Sequence, residues 1–126
     1  MKALTLASIL VTAALFAQAP ADKPETVMVT YHAKPGAEDE LARVLARHWA
    51  TARDMNLVLA APHVMVRGLE DGNKTYFVEI ATWRDESIPD AAPAPILAIW
   101  AEMHKLVESR GGRPGIDFIE VAVVAK

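Results

Sequence analysis

Residues His63–Trp83 read HVMVRGLEDGNKTYFVEIATW. Two runs rich in valine, isoleucine and aromatic residues flank Asp71-Gly72-Asn73, residues that tolerate the left-handed backbone of a tight hairpin. The spacing predicts a strand over His63–Arg67, a turn over Gly68–Lys74 and a second strand over Thr75–Trp83. Pro62 marks the start of the first strand or a bulge in it.

Upstream, Val27–Ala33 (VMVTYHA) alternates and is rich in β-formers, so it predicts another strand. Pro35-Gly36 breaks it. Glu38, Asp39 and Glu40 then place acids where a helix begins and its dipole is positive. Leu41, Val44, Leu45, His48, Trp49 and Ala52 form one apolar stripe of a helix reaching Arg53 or Asp54, with Asn56 as a left-handed cap. Leu57–Ala61 is apolar and ambiguous.

Downstream, Arg84–Pro95 carries three prolines and reads as a loop. Ile96, Ile99, Trp100, Met103 and Val107 mark a second helix over Ile96–Glu108, stopped by Gly111-Gly112 and Pro114-Gly115. Ile116–Val124 (IDFIEVAVV) predicts the last strand. The order β-α-β-β-α-β is the ferredoxin-like α+β arrangement, a four-stranded antiparallel sheet with both helices on one face.

The period of two divides each strand between two faces. Val27, Val29, Tyr31, Val64, Val66, Tyr76, Val78, Ile80, Ile119, Val121 and Val123 form an aliphatic set expected under the helices. Met28, Thr30, His32, His63, Met65, Arg67, Phe77, Glu79, Ala81, Trp83, Phe118, Glu120 and Ala122 form a mixed set. Such a mixture suits a cavity with apolar walls and a few convergent polar groups. One sheet cannot enclose a cavity by itself, so a homodimer closed over the two open sheet faces is expected.

The run TYFVEIATWRDE (Thr75–Glu86), the opening VMVTYHAKPGAEDELARVL and the hairpin resemble the antibiotic-biosynthesis-monooxygenase domains of the dimeric α+β barrel superfamily. The likeness spans roughly Val27–Val124. Glu79 and Trp83 match the family's Glu and Trp on the third strand, and Thr30 and His32 occupy first-strand positions that line the barrel. The histidine that members commonly carry shortly after that Trp is missing, since Ala91–Pro95 holds none. The haem-degrading members need an Asn, a Trp and that His. Only the Trp is present, so haem degradation is not implied.

The resemblance implies cofactor-independent oxygenation of a small quinol or polyphenol. In that reading His32 or His63 takes the proton and Arg67 stabilises the phenolate oxygen. Trp83, Phe77 and Phe118 form walls for a flat ring, with Thr30 and Met65 also against the substrate. Glu79 or Glu120 orients a histidine or binds a hydroxyl, although Glu79 and Arg67 can also be read as a cross-strand ion pair. His48, Trp49, Trp100 and His104 read as packing residues. The alternative is a barrel that binds a small apolar or aromatic molecule without turnover.

Residues 1–21 combine a basic start at Lys2, an apolar run from Ala3 to Ala17 and small residues at Ala19 and Ala21. That pattern predicts a signal peptide cleaved after Ala21 and an exported domain from Asp22, periplasmic or secreted. The apolar run is shorter than the roughly 20 residues of a spanning helix. With Lys2 set aside, 12 basic residues face 16 acidic ones, a net charge of −4, and no basic cluster stands out. Nucleic acid and anionic membrane surfaces are therefore poor partners. There is no cysteine, and four histidines scattered over separate elements make no zinc pattern. Gly-X-Ser-X-Gly, a phosphate loop and His-Glu-X-X-His are all absent from the sequence.

Overall fold

The computed structural model describes residues 22–124. The expected signal segment, residues 1–21, lies outside them. Strand β1 (Glu25–His32) leads to helix α1 (Glu38–Asp54), then to the hairpin of β2 (Val58–Glu70) and β3 (Lys74–Trp83). A 3-10 turn (Pro89–Ala91), helix α2 (Ala94–Leu106) and strand β4 (Ile116–Glu120) complete the chain. The sheet order is β2-β3-β1-β4 and every pairing is antiparallel. This is the ferredoxin-like arrangement expected from the element order.

Helix α1 begins where the acids announced it and ends before Asn56, which takes φ of +60°. Its stripe of Leu41, Val44, Leu45, His48 and Ala52 is buried. Pro93 and Pro95 bring the start of α2 forward to Ala94, because proline is pre-set for a first helical turn. The helix ends at Leu106, where Val107 turns into a bridge with Ala33.

Strand β2 is longer than expected. Leu57–Ala61, ambiguous in sequence, enters the strand from Val58, opposite Trp83. The register then shifts before His63, opposite Ala81. Pro62 lies inside that shift, after a cis Ala61–Pro62 bond, so the proline marks a bulge. Strand β4 is shorter than expected. Past the Val121 N–H, which donates to the Thr26 carbonyl, β1 offers little further backbone to pair with, and Val123 and Val124 are exposed.

The division of residues between the two faces is corrected by the register. Val27, Val29 and Tyr31 of β1 sit opposite Ala81, Glu79 and Phe77 of β3, and Met65 of β2 also faces Glu79. Directly paired residues share a face. The mixed residues of β2, β3 and β4 therefore lie under the helices with Val27, Val29 and Tyr31. Thr30 and His32 lie on the opposite face with Val64, Val66, Val78, Ile80 and Ile119. The phase among β2, β3 and β4 is as expected, while β1 is offset by one. The helix-covered side is the mixed one, not the aliphatic one.

Two clusters fill the layer between sheet and helices. One gathers Tyr31, Leu41, Leu45, Phe77, Ile99 and Met103, and the other Val27, Ala52, Val58, Trp83 and Ile96. The return from α2 to β4 is anchored by Arg110, which is 6% exposed. Its guanidinium donates to the carbonyls of Ala33 (2.6 Å) and Thr75 (3.0 Å) and to the carboxylates of Glu108 (2.8 Å) and Glu70 (3.1 Å). Glu70 also meets His32 Nδ1, so His32 belongs to a buried structural knot on the open side of the sheet.

Candidate functional site

A cavity of about 310 Å³ lies between the sheet and the two helices of one chain. Its floor is Val27, Val29, Tyr31, Glu79, Ala81 and Trp83, and helices α1 and α2 contribute His48, Trp49 and Trp100. Alternation along β1 and β3 brings the floor residues to one face, and helical spacing brings His48, Trp49 and Ala52 over it. Exposed Asp90, His104 and Phe118 mark where it opens. The mixed face points inward, so this cavity is roofed by the chain's own helices.

Glu79 is the charged centre of this space, 4% exposed. Tyr31 donates its hydroxyl to one carboxylate oxygen at 3.0 Å, and His63 Nε2 stands 2.9 Å from the other. A carboxylate can only accept, so Nε2 carries the proton of that bond. His63 is stacked flat on Trp49, with centroids 3.6 Å apart. A smaller outer groove, bordered by Trp49, His63, Met65 and Phe77, lies against this pair. Burial first, then the charge and hydrogen bond of Glu79, hold the Tyr31 phenol well above its ordinary range. Tyr31 therefore stays protonated at neutral pH and acts as a donor.

A second polar group was read as packing in the sequence. Trp100 donates its indole N–H to His48 Nε2 at 2.9 Å, and Trp83 approaches both rings edge-on. An indole N–H can only donate, so Nε2 is unprotonated and a neutral His48 carries its proton on Nδ1. Burial holds this imidazole below its ordinary range, against an opposing pull from Glu79. His48 Nδ1 is buried with no hydrogen-bond partner among the described residues.

The sequence-derived candidates divide accordingly. Glu79, Trp83 and Phe118 border the cavity. His63 reaches it through Glu79, and Met65 and Phe77 border the outer groove. Arg67 is not at the cavity: its half-exposed guanidinium lies 3.7 Å from Asp39 and over the Phe77 ring, so its expected pairing with Glu79 is replaced by Tyr31 and His63. Thr30 and His32 are on the other face of the sheet, and Glu120 is exposed at the end of β4. Tyr31, His48, Trp49 and Trp100 were missed as site residues. Helical spacing makes core and cavity lining look alike, and only the surplus of polar rings on an apolar stripe hinted otherwise. Among the described residues, no three His, Cys, Asp or Glu side chains gather as metal ligands.

Fold and site define a small ferredoxin-like α+β domain that carries an aromatic-lined cavity with a buried carboxylate. The same fold is found in SnoaB, a cofactor-independent oxygenase from Streptomyces nogalater. The TM-score is 0.60 at 19% identity, over 82% of this chain and 95% of that one. A structure described as antibiotic biosynthesis monooxygenase gives 0.60 at 17%, over 82% and 100%. Rv0793 from Mycobacterium tuberculosis gives 0.59 at 14%, over 82% and 98%. The chain thus has the fold of the antibiotic-biosynthesis-monooxygenase structures. No protein-family profile matches it, and no curated protein matches it in sequence.

Proposed function

We propose that this protein is an exported, cofactor-independent monooxygenase that oxidises a small quinol or polyphenolic aromatic. The observation that carries the reading is the buried Glu79 carboxylate on the wall of an aromatic-lined cavity, held at both oxygens by Tyr31 and His63. A carboxylate has about four acceptor sites, and two remain to take a proton from a substrate hydroxyl. Glu79 is the base in this reading, in place of His32 or His63. Half-buried His63 offers the route from Glu79 to the outer groove.

Once deprotonated, the electron-rich ring reacts with oxygen directly. A quinol becomes a hydroxyquinone as one oxygen atom enters the ring. The other leaves as water with two hydrogens from the substrate, which supplies all the electrons. Support for export is the basic, apolar and small-residue pattern of residues 1–21. Support for a homodimer is the open sheet face, where Val64, Val66 and Ile119 are 44%, 50% and 52% exposed. Oxygen uptake by the purified protein over a panel of quinols, corrected for autoxidation, tests the reaction. Protein-dependent uptake that is lost in Glu79→Gln supports it. Stabilisation by the same quinols with no uptake refutes turnover and leaves a binding protein.

A further inference from the structure

The cavity has a polarity that oxygenation alone does not explain. Three carboxyl side chains border it, Glu25, Glu79 and Asp90, and no lysine or arginine does. Glu79 is satisfied by Tyr31 and His63, whereas Glu25 and Asp90 lie towards the opening. Burial first, then the charges of Glu120, Glu86 and Asp90, hold the Glu25 carboxyl above its ordinary range. Negative potential therefore accumulates at one end of a space whose walls include Trp49, Trp83 and Trp100. An indole face attracts a cation, and does so more strongly once water is excluded.

We propose that the cavity selects an aromatic ligand bearing a cationic nitrogen, its ring between the tryptophans and its ammonium between Glu25 and Asp90. The proposal rests on the reading of this cavity as the ligand site and narrows the substrate class. Proton transfer from the hydroxyl to Glu79 leaves the net charge of the space unchanged, and a phenol that carries its own cation offsets the negative charge of the phenolate so formed. A ring bearing a carboxylate is excluded by the same field.

The test uses three probes on one naphthalene ring, in aminomethyl, hydroxymethyl and carboxymethyl forms. Each is titrated into the purified protein and followed by tryptophan fluorescence. All three tryptophans of the chain border the cavity. At about pH 8, where imidazoles are ordinarily neutral, the ammonium probe should bind at least about tenfold more tightly than the neutral one. The carboxylate should bind most weakly. Added salt should narrow the first gap, and in Glu25→Gln/Asp90→Asn the ratio of the two constants should fall towards one. Equal binding of ammonium and neutral probes overturns the proposal while leaving the cavity as a ligand site. Quenching by none of the three overturns both. A cation preference that survives the double substitution overturns the assignment to Glu25 and Asp90.

Discussion

Replacing Tyr31 by phenylalanine removes one oxygen from the centre of the molecule and leaves the ring in place. That hydroxyl lies 3.0 Å from a carboxylate that is 4% exposed, and Tyr31 itself is 3% exposed. Water cannot readily take its place. A hydrogen bond to a charged group contributes about 1.5–3 kcal/mol, so Tyr31→Phe should lose about that much at pH 7. At ~4 °C per kcal/mol for a domain of this size, the melting temperature should fall by about 6–12 °C. The loss also carries a pH signature. The Tyr31 phenol is held above its ordinary range in the folded state. The unfolded chain gives up that proton from about pH 10 upward, whereas the folded protein keeps it. The contribution is therefore fully present below that range and fades as pH rises through it. Urea denaturation of both proteins at neutral pH and above about pH 10 measures the difference, and titrating groups that do not touch Tyr31 cancel between them. A neutral-pH difference under about 0.5 kcal/mol, or a gap that does not narrow in alkali, would refute the account of Glu79 as a buried carboxylate held by Tyr31.

Burial keeps the His48 imidazole below its ordinary range, so its contribution is present above about pH 6.5 and is lost as pH falls through the lowered folded value. His48→Gln should flatten the acid limb of a stability–pH curve measured by thermal melts, and an unchanged limb would place the titration elsewhere. Arg110→Met strips two carbonyls and two carboxylates of their shared donor and should destabilise by about 3–5 kcal/mol in chemical denaturation. A loss below about 1 kcal/mol would show that the knot around Glu70 does not hold the return loop. Val64→Lys/Val66→Lys should convert a dimer to a monomer in sedimentation with little change in tryptophan emission. Survival of the dimer would move its interface off the open sheet face.

The element order was legible because its signals are local. Acids open α1, Asp71-Gly72-Asn73 closes the hairpin, and prolines and glycines bracket α2. The inner face of β1 was legible, because Val27, Val29 and Tyr31 form its apolar phase, but the inner faces of β2, β3 and β4 were not. The hairpin ties β2 to β3 through a short turn, so one residue fixes the phase of both strands. Along that hairpin Val64, Val66, Val78 and Ile80 are the more aliphatic phase, yet they lie on the open face opposite the side of Met65, Phe77 and Glu79. Local hydrophobicity therefore points the wrong way there. The helices choose, by packing on Tyr31, Phe77 and Trp83. Glu79, Trp83 and His63 could be found because they stand out against their strands. His48 and Trp100 could not, because their role lies in a contact between two helices that neither sequence encodes alone.

Each chain roofs its cavity with its own two helices. A tandem duplication within one polypeptide would carry two such chambers. One copy could then lose Glu79 or be filled by larger side chains while the other kept working. The lineage would be free to turn the silent half into a scaffold, a sensor or a chamber for a different molecule.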